Sequence, residues 1–151
     1  MTTSSVERLV GLFDSFEELS RRRDAWQIQA RWRAVFAPGY EDWGEGEEWD
    51  VLGSGRIPRF KGAKAISLYE AVGAKKVLVC AALGSPPVYR CSAAELPSYA
   101  TIRAAHGWDL YIISADWDWT LVCTHEAGHG PYFINPSPTF TTAARIKRGS
   151  Q

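Results

Sequence analysis

Apolar residues open the chain at three- and four-residue intervals: Val6, Leu9, Val10, Phe13, Phe16 and Leu19. That spacing draws one stripe along a helix, and Glu7, Arg8, Asp14, Glu17 and Glu18 fall mostly off it. Ser4 or Ser5 is placed to cap its start. Arg21, Arg22 and Arg23 follow, and Asp24 is positioned to cap a second helix holding Trp26, Trp32, Val35 and Phe36 before Pro38 and Gly39 stop it. The first 36 residues therefore read as helix. A third, short helix is predicted over 62–74, with Ala65, Ile66, Leu68, Tyr69 and Val72 turned inward.

The second half changes period. Residues 76–83 are almost continuously apolar, as in a central strand covered on both faces. A turn rich in Gly and Pro at 84–87 returns the chain through 88–91 as a hairpin partner. Ser92 and Glu95 have capping-box spacing for a further short helix. Residues 109–115 and 119–126 read as two more strands, with 131–134 as an added edge. The order predicts an α+β fold, with the N-terminal helices packed on one face of a mainly antiparallel sheet of about four to five strands. A length of 151 residues favours a single domain, 1–151, whose tail at 136–151 reads as mobile.

Composition narrows the class. The chain is 46% hydrophobic, with 17 Lys plus Arg against 17 Asp plus Glu. Zero net charge argues against general disorder and against a strongly basic nucleic-acid binder. The start of the chain lacks the apolar run of a signal peptide. Its longest apolar stretch, seven residues at 77–83, is far below the ~20 that span a bilayer. Cys80, Cys91 and Cys123 form an odd set without CxxC spacing, so a reducing cytoplasm is the expected location and no membrane is expected as a partner.

The neutral total conceals two blocks. Residues 41–50 hold Glu41, Asp42, Glu45, Glu47, Glu48 and Asp50 around Trp43 and Trp49, without one base. Residues 51–76 carry Arg56, Arg59, Lys61, Lys64, Lys75 and Lys76 against Glu70 alone. Tryptophan anchors and carboxylates together suit a basic protein partner: the rings supply contact area, and the charges steer encounter. Trp43, Glu45, Glu47, Glu48, Trp49 and Asp50 are thus the candidate partner-binding residues. The plainer alternative has both Trp folded inward and the acids solvating a loop. Nucleic-acid binding through Arg21, Arg22, Arg23, Arg31 and Arg33 is weakened by the clustered acids, which would repel phosphate.

One stretch has the form of a catalytic motif. His125-Glu126-Ala127-Gly128-His129 fits H-E-x-x-H, in which a helix aligns two zinc-binding imidazoles and a glutamate activates water. Its setting disagrees: the preceding residues alternate like a strand, and Gly128, Gly130 and Pro131 would break a helix. No His, Asp, Glu or Cys follows His129 to complete the ligands. No GxSxG elbow is present, and the glycines at 53 and 55 lack the Lys-Ser/Thr ending of a phosphate loop. The expectation is therefore no catalytic residue, no metal and no cofactor. A rival reading makes the chain an enzyme or small-ligand protein, with a pocket formed by Trp117, Trp119, His125, Glu126 and Tyr132 at the 124–126 hairpin.

The run Asp109, Trp119-Thr120, Thr124-His125-Glu126 and Gly130-Pro131-Tyr132-Phe133 resembles a group of small bacterial proteins of unknown function. Arg31-Trp32-Arg33-Ala34-Val35-Phe36 resembles the tryptophan–phenylalanine helix near that family's start, so the likeness extends over about residues 25–135. It implies that Thr124-His125-Glu126 is a sheet-end motif, and it carries no catalytic residue. By analogy with such single-domain proteins, the expected function is a cytoplasmic immunity protein that occludes the active surface of a cognate toxin.

Overall fold

A computed structural model describes residues 4–38, 52, 57–126 and 128–136. The chain runs α1 (Ser5–Val10), β1 (Ser15–Leu19), α2 (Arg22–Phe36), β2 (Phe60–Lys61), α3 (Ala63–Ala71), β3 (Lys76–Cys80) and β4 (Val88–Ser92). It continues through α4 (Tyr99–Ala105), β5 (Leu110–Ser114), β6 (Thr120–Cys123) and β7 (Tyr132–Ile134). The fold is α+β, and among the described residues seven strands join one sheet in the order β1-β4-β3-β5-β6-β7-β2. Each pairing is antiparallel.

The expected four to five strands become seven because β1 and β2 extend the two edges. β1 departs most from its sequence pattern. The helical stripe is real only as far as α1, which Ser4 caps reciprocally with Glu7 and which ends at Gly11. Ser15–Leu19 then lies along Val88–Ser92, so pairing with β4 overrides the helical spacing of Phe16 and Leu19. Phe13 still reaches the core, whereas Phe16 is 51% exposed at the sheet edge.

Helices cover both faces of the sheet rather than one. On one face Leu9 and Val10 of α1, Ala65 and Tyr69 of α3 and Ile102 of α4 pack with Val77, Val79, Ile112 and Leu121. On the other, Ala25, Trp32 and Phe36 of α2 pack with Leu78, Cys80, Tyr111, Ile113 and Val122. Trp32 is edge-on to Tyr111, and its Nε1–H donates to Thr120 Oγ1 at 3.1 Å. Thr120 in turn donates to the Ile112 carbonyl at 2.9 Å, so the polar atoms under α2 are joined in a chain. Two buried faces explain why β3, β5 and β6 are apolar at almost every position.

Smaller differences concern the caps and one edge. Arg21, not Asp24, occupies the α2 N-cap and makes no side-chain cap bond; Asp24 sits in the first turn, where a carboxylate favours the helix dipole. Ser98 caps α4, whereas Ser92 belongs to β4 and hydrogen-bonds Ser15 through its hydroxyl at 2.6 Å. β7 is internal, flanked by β6 and β2. The tail reading lies almost wholly outside the described residues. Among the described residues no helix is long and apolar enough to cross a membrane.

Candidate functional site at the start of the β5–β6 hairpin

Antiparallel pairing of Leu110 with Cys123 sets the residues before β5 beside those after β6. Asp109 and His125 meet there. Asp109 Oδ1 accepts the His125 backbone N–H at 2.8 Å and its ring Nδ1–H at 2.7 Å. Because the carboxylate only accepts, the proton lies on Nδ1, and Nε2 is the basic position of the neutral ring. The Asp109 side chain is mostly covered, at 14% exposure, against 30% for His125.

Trp108 completes this corner. Its indole lies parallel to the His125 imidazole, with centroids 4.2 Å apart and planes within 7°, yet the residue is 61% exposed. The backbone beneath is fixed by Arg103, in the last turn of α4. Its Nη1 donates to the carbonyls of His106 (3.1 Å) and Trp108 (2.8 Å), and its Nη2 to those of Gly107 and Thr124 (both 3.1 Å). One planar guanidinium thereby ties the α4–β5 loop to the end of β6. His106 adds a second tie, being buried between the Asp109 carbonyl at Nε2 (2.9 Å) and Ser5 Oγ at Nδ1 (2.5 Å). A carbonyl only accepts, so Nε2 carries the proton and Ser5 donates to Nδ1.

After β6 the chain turns. The Thr124 hydroxyl bridges the carbonyls of Glu126 and His129, and the His129 N–H donates to the Glu126 carbonyl at 3.1 Å. Among the described residues of the H-E-x-x-H stretch none is helical, so the i, i+4 placement that would align His125 and His129 is missing. β6 ends at Cys123, and the expected strand through Glu126 is replaced by this turn. Among the described residues no three metal-binding side chains cluster.

The residues expected to share one pocket are distributed through the fold. Trp117 lies in the β5–β6 turn, at the far end of the hairpin from His125. Trp119 is buried against Tyr69 and Phe133 on the α1–α3–α4 face. Tyr132 is buried on the α2 face, and Glu126 is exposed in the turn. Only His125 and Glu126 remain at this corner. Trp43, Glu45, Glu47, Glu48, Trp49 and Asp50 lie outside the described residues. The sequence reading missed Trp108 and Arg103; the available signal was a tryptophan in a short polar link between a helix and a strand.

The three cysteines are buried, and burial pushes the Cys91 and Cys123 thiols up to about 12, which keeps them protonated and poorly nucleophilic at neutral pH. The chain matches no family model, no curated protein and no solved structure.

Proposed function

We propose that this chain is a cytoplasmic binding protein that acts by recognition without turnover, most specifically as an immunity-type inhibitor covering the working surface of a toxin. The observation that carries the reading is the Trp108–His125 stack, a large exposed ring set rigidly on the surface. Tryptophan is among the residues that most often dominate interface energy. Here Asp109 and Arg103 have already ordered the stack, so less side-chain freedom is lost on association. The acids of 41–50 would speed the encounter with a basic partner.

The test begins by capturing a partner from native lysate, then reconstitutes it with purified chain. The expected result is a stoichiometric complex in which the partner's activity is blocked. Trp108→Ala should raise Kd by a factor of about 30 or more, as loss of a ~2 kcal/mol anchor requires. Replacing Glu45, Glu47, Glu48 and Asp50 by Ser should slow association, most at low salt. A complex indifferent to Trp108 would refute this surface.

The Asp109–His125 bond favours a second reading, a small-ligand or enzymatic site with His125 as base. That reading predicts that His125→Gln abolishes an activity which Trp108→Ala leaves largely intact.

A further inference from the structure

A different constellation lies at the opposite end of the β5–β6 hairpin, on the α2 face. A cleft of about 340 Å³ opens there between β1, α2, β4 and Trp117 of the β5–β6 turn. This volume falls within the ~300–1,000 Å³ range usual for small-molecule sites. Leu19 and Ile28 give it an apolar wall, and Asp24, Arg31 and Arg90 bring charge.

Arg31 is set for recognition but engaged by no acid. Its guanidinium lies over the Trp117 ring, 4.5 Å from the centroid, and among the described residues no carboxylate pairs with it. A guanidinium held over an indole ring keeps N–H donors for a carboxylate and loses less freedom when one binds. Trp117 is itself fixed: it packs on Phe36 at 6.2 Å and holds a positive φ of 60°, uncommon for a bulky residue. Such a backbone persists only where its surroundings over-determine it.

Asp24 lines the same cleft, half-buried, and its carboxylate has no hydrogen-bond partner among the described residues. It stands seven residues before Arg31 on α2, so the two residues lie on one side of the helix, their backbones about 10 Å apart along its axis. They do not pair with each other. Arg90 is the other cation, and its bond to Glu17 at 2.7 Å joins two side chains that are each more than half exposed. Taking that pair as closed, one cation and one anion remain, separated by an apolar wall.

We propose that this cleft binds a small zwitterion, a carboxylate and an amine at opposite ends of a short apolar body, with Arg31 taking the carboxylate and Asp24 the amine. The site is independent of the Trp108 corner and stands whether or not that surface binds a protein.

The experiment is titration of the whole chain with 4-(aminomethyl)benzoate, beside benzoate and benzylamine as its two halves, followed by calorimetry and the indole N–H resonances. The zwitterion should bind about tenfold or more tighter than either half. Arg31→Gln should reduce it to the level of benzylamine, and Asp24→Asn to that of benzoate. Arg31→Lys, which keeps the charge but not the flat fork, should fall between wild type and Arg31→Gln. Equal binding of the probe and its halves, no saturable binding, or indifference to both Arg31→Gln and Asp24→Asn would overturn the assignment.

Discussion

Replacing Arg103 by Met tests whether one guanidinium holds the Trp108 corner together. The substitution keeps most of the aliphatic stem and removes four donations, to the carbonyls of His106, Gly107, Trp108 and Thr124. The bonds to Gly107 and Trp108 are exposed, so those carbonyls exchange a protein donor for water at little net loss. The bonds to His106 and Thr124 are partly buried, and a charged hydrogen bond there is worth about 1.5 kcal/mol or more. Two such bonds predict a loss of about 3 kcal/mol, a large fraction of the 5–15 kcal/mol typical of a domain. Urea unfolding followed by far-UV circular dichroism measures it, with an unchanged m-value showing that stability alone has moved. Arg103→Lys separates charge from shape: an ammonium cannot span all four carbonyls, so less than half of the loss should be recovered. The His125 ring protons should also lose the upfield shift that stacking under Trp108 imposes. A loss below about 1 kcal/mol, or full rescue by Lys, would refute the clamp.

Asp109→Ala removes the acceptor of two His125 bonds on a partly exposed surface; it should cost about 1 kcal/mol and shift the His125 resonances in NMR spectra. Trp32→Ala empties a fully buried site and breaks the link to Thr120; denaturant unfolding should show about 3–5 kcal/mol lost. The Cys91 and Cys123 thiols are raised to about 12 by burial, above the ~8.5 of an unfolded chain. Their contribution is therefore complete below about pH 8.5 and is lost as pH rises towards 12, at up to about 1.4 kcal/mol per unit for each thiol. Urea midpoints at pH 7.5, 9 and 10.5 should fall, and a Cys91→Ala/Cys123→Ala variant should fall less steeply; equal slopes would reject the linkage. Gly84→Ala places a Cβ 2.6 Å from Gln29 Oε1 at a φ of +84°, so thermal unfolding should show a loss of about 1 kcal/mol or more.

Several elements were legible in the sequence because local chemistry and tertiary demand agree in them. Ser4 and Glu7 signal the start of α1, and the apolar runs at 76–80 and 110–114 are strands under any arrangement that buries them. Their continuity also implied cover on both faces. Placing the helices on one face conflicted with that implication, and the position of α2 resolves it. The non-helical character of the H-E-x-x-H stretch was legible too, because glycine and proline oppose a helix more strongly than the motif suggests one, although the strand expected through Glu126 ends at Cys123. Which aromatic residues share a surface was not legible: Trp117 and Trp119 are two residues apart in sequence, yet one lies under Arg31 and the other within the opposite core layer.

The sequence by itself determined the α+β class, the central hairpins and the core of α2, since each depends on periodicity, capping and turn chemistry within a short window. Only the tertiary structure decided that Ser15–Leu19 is a strand, because its identity comes from pairing with the distant β4, Ser15 with Ser92 and Leu19 with Val88. The same holds for the two sites. Asp109 meets His125 across a hairpin, and Arg31 reaches Trp117 from a helix on one sheet face. Those meetings are set by strand register and layer order, which depend on the packing of the whole chain.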